Sequence, residues 1–495
     1  MTSDGASLRL QPLSTGTRLA YCAGAAPDAM VNTALNVFLL FYLTNTCGLS
    51  PALAGFAMAA GLVVDAVLDP YIGMRSDHFR SRLGRRLPFM LFATPVILGS
   101  FGVLFSLPRI ENQAVLFVTV LMLCVTLRIG LSLFTLPFLA VGAELSDDDA
   151  ERSRIITWRW LTATILATLT VLMGFGLFFK GEQGISRSES YPHFAMVLAA
   201  VIFVMAALAS LAAHRTIGRQ HPPPEREAAT MRELLRELRQ LFLSRTFSTI
   251  FFACLLSSTA QSTTQTLSLH AYTFFWKLGS DQTQIAIVSL TFGLILGAPF
   301  GGALIKRWEH RKTIILGGLG LMLAQALLPT LRLCGMLPFE GATLGTMLAG
   351  AQLLAGMMMT ISMLALFSMT TEALDEHEVV HGVRIEALYF AGLILAGKSA
   401  NGLGAVVSGV TLQLIEFPAT TAGAVATLPE HTTRLLGLAY GPGAAVFVVA
   451  TLLVLLRYPL NREKHRLIMA ELQTRKTAAI TPAQLTPLAP LLQAG

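Results

Sequence analysis

Stretches of predominantly apolar residues, each about twenty or longer, recur along the chain between short polar connections. Such a stretch is long enough to cross the hydrocarbon core of a bilayer as a helix. The pattern predicts twelve, near residues 17–45, 50–73, 87–107, 113–143, 154–180, 192–214, 245–276, 283–306, 312–332, 342–372, 385–415 and 433–457. The chain therefore reads as an all-α integral membrane protein. The longest polar interruption divides the spans into two sets of six. The expected organisation is a polar N-terminus over 1–16, a six-helix bundle over 17–214, a linker over 215–244, a second six-helix bundle over 245–458 and a tail over 459–495.

The linker breaks from the sixth span at HPPPERE. Beyond it Thr230 and Glu233 are spaced as a capping box, and Met231, Leu234, Leu235, Leu238 and Phe242 recur at helical spacing opposite Arg232, Arg236 and Arg239. That pattern fits either a helix lying on the inner leaflet or a solvated linker helix. After the last span, RYPLNREKHRLIMAELQTRK predicts another surface helix, and TPAQLTPLAPLLQAG a disordered end. The halves also echo each other. PYIGMRSDHFRSRLGRR follows the second span and PFGGALIKRWEHRK the eighth, so a proline, glycine and basic cluster returns six spans later. Two six-helix halves in parallel repeat resemble the plan of the major facilitator superfamily, whose solutes bind near the midplane between the halves. Twelve transmembrane helices in that fold are the expectation.

Composition supports this reading: 13% of the residues are charged, about half the ~25% of a soluble domain, and the mean hydropathy is +0.62. Basic residues crowd alternate loops. Arg75, Arg80, Arg82, Arg85 and Arg86 follow the second span, seven arginines from Arg215 to Arg245 follow the sixth, and Lys306, Arg307, Arg311 and Lys312 follow the eighth. The intervening loops carry one or two basic residues or none. This bias places the basic loops and both termini in the cytoplasm, in a multi-pass protein of the cell membrane. It also accounts for the net charge of +7 without a nucleic-acid surface. The first sixteen residues lack the order of a cleavable signal, so the first span is expected to direct its own insertion. Cys22, Cys124 and Cys254 fall in spans; Cys47 and Cys334 lie near outer ends, where a bridge is conceivable, and no metal-type spacing occurs.

The candidate chemistry is carried by polar residues at membrane depth, which are costly and therefore informative. Asp65 and Asp69 lie one helical turn apart in GLVVDAVLDPYIG, with Cβ atoms about 5–6 Å apart by that spacing. Two carboxylates in a dry site do not both ionise without compensation, so one holds a proton, or the pair shares a metal ion or a basic side chain. A structural ion pair is the competing reading. Arg128, Ser132 and Thr135 form one stripe of the fourth span. Arg128 needs a carboxylate or an anionic solute; Ser132 either offers oxygen to a cation or bonds back to its own helix. Asp28, Asn32 and Asn36 share the first span, Trp158, Arg159 and Trp160 open the fifth, Gln261, Gln265 and His270 sit in the seventh, and Lys398 lies near the middle of the eleventh. Their spread over several helices predicts a common central cavity. Taken singly, Gln261, Gln265, Asn36 and His270 are better explained by hydrogen bonds between helices.

One motif match is set aside. Residues 392–399, GLILAGKS, fit the phosphate-loop expression, but that motif works only as a loop whose N–H groups are free. Here it lies in an apolar helix. No nucleophile with a base and no His-rich metal cluster appears either, so an enzyme is not expected.

Three stretches carry a family resemblance: GAAPDAMVN with FLLFYLTNTCGLS, DAVLDPYIGMRSDHFRSRLGRRLPF, and LDEHEVVHGVRIEALYFAGLILAGKSANGLG. Through them the chain resembles the glycoside/pentoside/hexuronide:cation symporter family, the branch of the major facilitator superfamily that also contains lysolipid symporters. The resemblance implies a cation site of Asp65, Asp69 and Ser132, with Lys398 near the two acids. The candidate solute contacts are Asp28, Asn32, Arg128, Thr135, Arg159, Gln261, Gln265 and Lys398; of these the resemblance bears on Asp28, Asn32, Arg159 and Lys398, which match the family's pattern. It further implies a conformational latch of Arg75, Asp77, Arg82 and Arg85, with Asp375, Arg384 and Glu386 in a second signature. Two departures matter. Thr135 and Leu139 stand where galactoside-transporting members have a sugar-binding aspartate and a stacking tryptophan, and Leu68 replaces an asparagine of the sodium site.

The expected function is secondary active symport of a small organic solute, a sugar or sugar acid, by alternating access and driven by protons or sodium with no other cofactor. The cationic Arg128 and Arg159 favour an anionic solute, and Leu68 favours protons, because a hard cation wants several oxygen ligands. The expected partners are membrane lipid and the solute, and the expected state is a monomer. Transport of a lysolipid-like amphiphile, or sensing of a solute without transport, are the alternatives.

Overall fold

Twelve helices packed side by side, with a thirteenth outside them, dominate the computed structural model, which describes residues 14–146, 148–181, 184–217, 236, 239, 241–419, 428–460 and 462–485. They are α1 (Thr15–Asn45), α2 (Pro51–His78), α3 (Leu87–Leu104), α4 (Gln113–Ala143), α5 (Asp149–Met173), α6 (Ser190–Arg215), α7 (Arg245–His270), α8 (Ser280–Arg307), α9 (His310–Leu333), α10 (Gly341–His381), α11 (Glu386–Leu414), α12 (Glu430–Leu455) and α13 (Arg462–Leu485). The boundaries follow local chemistry. Ser14, Asn112, Asp148 and Ser244 accept backbone N–H groups at the starts of α1, α4, α5 and α7. Gly382, at φ 73°, ends α10 in the left-handed conformation that glycine adopts most readily.

Most spans agree with the hydropathy pattern within a few residues. Three helices run further than expected: α2 ends at His78, five residues past the predicted 73. α5 starts at Asp149 because Asp148 caps it, and α10 continues through the polar TTEALDEHEVVH to His381 because nothing in that segment breaks a helix. Among the described residues eleven helices are long and apolar enough to cross a membrane. The exception, α7, contains SSTAQSTTQTLS, whose Thr259 and Thr264 hydroxyls bond back to their own helix. α13 confirms the expected tail helix but extends to Leu485, so the disordered end does not begin at Thr481. The capping box and most of the expected linker helix lie outside the described residues. Cys47 and Cys334 are free thiols, so the conceivable bridge does not form.

The internal repeat is visible in the packing. In the first half α4 packs on α2 and α3, and α1 on α5 and α6; in the second half α10 packs on α8 and α9, and α7 on α11 and α12. The halves meet where α2 crosses α11, α5 meets α8 and α1 meets α7. At the α2–α11 crossing the backbones touch. A Cβ on Gly55 would lie 2.5 Å from the Ala405 carbonyl oxygen, and one on Gly409 only 2.4 Å from that of Pro51.

The two ends of the bundle differ. At the end away from the basic loops the halves are joined: Ser50 Oγ donates to Gln413 Oε1 at 2.8 Å, Thr44 Oγ1 lies 3.0 Å from His270 Nε2, and Ser280 Oγ donates to the Gly181 carbonyl at 2.8 Å. At the basic end the recorded ion pairs stay within one half, such as Arg18–Glu151 at 3.2 Å and Arg384–Asp375 at 2.9 Å. Among the described residues, therefore, side-chain bonds join the halves at the far end, and no ion pair joins them at the basic end.

Candidate solute and cation site

α2 brings Asp65 and Asp69 to the face that meets α11 and α4. Lys398 of α11 donates to both carboxylates: Nζ is 3.3 Å from Asp65 Oδ2 and closer still to Asp69 Oδ2. Ser132 of α4 donates to Asp65 Oδ1. Of the open readings of the acid pair, the structure selects a shared basic side chain, and Ser132 bonds to the acid and not back to its own helix. Asp65 is 6% exposed, so its charge depends on those two donors. Asp69 Oδ1 is buried with no hydrogen-bond partner and gives the site an unused oxygen. The GLILAGKS match lies inside the continuous α11, with its N–H groups committed to the helix.

A second cluster lies alongside. Arg128 Nη1 donates to Asn32 Oδ1 at 2.9 Å, and Asn32 Nδ2 donates to Asp28 Oδ1 at 2.9 Å. The guanidinium has thus found an amide oxygen in place of a carboxylate. Gly61 on α2 makes room for it: a Cβ there would lie 3.0 Å from Arg128 Cγ. Because Arg128 and Ser132 are one turn apart, α4 physically links this cluster to the acid pair.

Two hollows frame the cluster. One is lined by Asp28, Thr135, Arg159 and Trp160, where Arg159 and Asp28 share a wall but are not ion-paired; Thr135 Oγ1 is buried without a partner. The other is lined by Asn36, Arg128, Cys124 and Asn401. Asn36, within the π turn Leu35–Leu39, lines this second hollow beside Arg128, while Asp28 lines the first. Gln261 and Gln265 lie apart from this cluster and line a pocket within the second half. Neither side chain has a hydrogen-bond partner among the described residues, so the expected bonds between helices are not made. His270 does bond across to α1, through Thr44 and Asn45.

The expected latch residues gather at the basic end. Asp77 Oδ1 accepts from Arg86 at 2.9 Å, and Arg85 donates to Glu144 at the end of α4. Arg75 and Arg82 are exposed. Asp375, Arg384 and Glu386 come together around Arg384, 2.9 Å from Asp375, 2.8 Å from Glu378 and 3.6 Å from Glu386. Hydrogen bonds to Glu378 and Asp375 hold this guanidinium protonated more firmly than an ordinary arginine. Sequence reasoning gave no role to Glu144, which lies just beyond an apolar run, or to Glu378, which sits inside the third family stretch without being singled out. It also missed Tyr272, Gln352 and Tyr440, which are far apart in sequence and hydrogen-bonded to one another in the fold.

Two six-helix halves with a charged cluster between them define a membrane transporter. The comparisons agree. The family model for MFS/sugar transport proteins matches residues 20–462, and the chain belongs to that family. It is similar to an uncharacterized symporter of Synechocystis sp., 25% identical over 95% of this chain and 98% of that protein. It is also similar to the glucuronide carrier protein homolog of Escherichia coli, 22% identical over 94% of this chain and 97% of that protein. A bacterial homolog of the human lysosomal transporter Spinster shares the fold, with a TM-score of 0.60, 13% identity and coverage of 93% of this chain and 98% of that one.

Proposed function

We propose that this transporter is a proton-coupled symporter of an anionic sugar-acid-like solute, working by alternating access with its basic loops and both termini in the cytoplasm. The observation that carries the reading is Lys398 of one half seated on Asp65 and Asp69 of the other. An internal ammonium occupies the place that an imported cation takes, so cation binding must release Lys398 and loosen the contact between the halves. Ion binding and reorientation are then one event. Leu68 offers no oxygen, and the cluster provides only the two carboxylates and the Ser132 hydroxyl, which suits a proton better than a hard cation.

The solute reading rests on charge. Outside the Lys398 cluster the site holds two guanidinium groups, Arg128 and Arg159, against one carboxylate, Asp28. That excess favours an anion, while Asp28, Asn32 and the unpartnered Thr135 hydroxyl suit sugar hydroxyls.

The test is reconstitution. In sodium-free proteoliposomes, an inward proton gradient should drive accumulation of a sugar acid above its outside concentration, and counterflow should persist without the gradient. Binding without counterflow would make the protein a sensor; accumulation that requires sodium would overturn the proton assignment.

A further inference from the structure

His270, the last residue of α7, is fully buried at the far end, where the halves meet, and belongs to neither the cation nor the solute cluster. Both halves enclose its ring. Phe41 of α1 lies 5.0 Å away between ring centroids, and Phe417, just beyond α11, lies 5.2 Å away edge-on. Phe274 packs against both of these rings, at 6.1 and 5.2 Å.

The polar contacts come from α1 and decide which nitrogen carries the hydrogen. Thr44 Oγ1 has one hydrogen and gives it to carbonyls of its own preceding turn, Leu40 at 2.9 Å and Phe41 at 3.3 Å, so towards His270 it accepts. Nε2, 3.0 Å away, then holds the N–H of the ring. Nδ1 is buried with no hydrogen-bond partner. The opposite tautomer would bury an N–H there with no acceptor, which proteins rarely tolerate. An imidazolium would bury that same unmatched N–H together with a charge. Only the neutral ring fits the joint.

No charged side chain among the described residues bonds to the ring. Glu416, beside Phe417, and Lys277, beyond α7, are exposed, and Cys47, two residues past Asn45, is bonded to Tyr42. Nothing nearby would compensate a proton on Nδ1. Parting of the halves would carry Phe41, Thr44 and Asn45 away with α1 and open the ring to water.

We infer that His270 is the proton-sensitive gate of the far end: α1 and α7 join on the neutral imidazole, and its protonation holds them apart. This is a positioning role in the reorientation step, and it holds whichever cation is coupled. The sign follows from linkage. An imidazole in water titrates near pH ~6.5, so closure is fully favoured above that value and weakens about tenfold for each pH unit below it.

The test uses the full chain in nanodiscs, spin-labelled at Asn112 and Glu340, at the far-end starts of α4 and α10. Between pH 8 and pH 5 the ratio of long to short distances should rise about tenfold per unit below pH ~6.5. In His270→Gln, whose amide nitrogen can replace Nε2 as donor to Thr44 without titrating, the ratio should keep its pH 8 value. A ratio independent of pH in the unaltered protein would overturn the inference. So would an identical pH response in both proteins, which would assign the titration to other groups such as Asp65 and Asp69.

Thr44→Val provides a test that keeps the histidine. It removes the acceptor of the Nε2–H, so the long-to-short ratio at pH 8 should rise about fivefold and still respond to pH. An unchanged ratio at pH 8 would show that the bond does not hold the joint, and would overturn the inference even if His270→Gln failed to fold.

Discussion

Nζ of Lys398 on α11 lies 3.3 Å from Oδ2 of Asp65 on α2, and this contact joins the two halves of the transporter near the middle of their helices. The empty carrier compensates its acid pair with its own cation. In Lys398→Ala the pair is compensated only when an imported cation is bound, and an uncompensated buried charge costs ~3–5 kcal/mol. Exchange of solute, in which the cation stays bound, should survive within about threefold. Net uptake, which requires the empty carrier to reorient, should fall by at least about tenfold. Parallel counterflow and net-flux assays separate the two; equal losses in both would mean that Lys398 does not reset the carrier.

Arg128 is held by Asn32 and faces the hollow that contains Asn36. Hydrogen bonds to charged groups contribute about 1.5–3 kcal/mol each. Arg128→Ala should therefore raise the half-saturating solute concentration in counterflow by about 10- to 150-fold, and Arg128→Lys should not restore it, because an ammonium lacks the planar fork. An unchanged half-saturation would remove Arg128 from the solute site.

Closure of the far end depends on the α2–α11 backbone contact at Gly55 and Gly409. Gly409→Val places carbon atoms against the Pro51 carbonyl, so the closed far end should become inaccessible. Spin labels at Asn112 and Glu340, which precede α4 and α10, should then report a longer far-end distance. Gly102→Val, which meets nothing within 4 Å, should leave it unchanged.

Much of the fold could be read from hydropathy, because a bilayer demands long apolar helices whatever their packing. α7 illustrates the limit: it reads as a span but carries SSTAQSTTQTLS, whose Thr259 and Thr264 hydroxyls are satisfied within the helix. Asp65, Asp69 and Lys398 were legible because charges in apolar helices are costly. Their pairing was legible only through the family resemblance, since it joins residues 333 positions apart. The Tyr272–Gln352–Tyr440 cluster was illegible for the same reason as any tertiary contact: each residue alone is unremarkable in its helix.

The central claim is that solute and proton move together through the Asp65–Asp69 site. The most direct measurement is the external pH of lightly buffered, sodium-free proteoliposomes when a sugar acid is added without any imposed gradient. The account predicts alkalinisation in fixed proportion to solute taken up, abolished in Asp65→Asn and Asp69→Asn. Solute uptake with no proton movement, or proton movement unaltered in both variants, would contradict it.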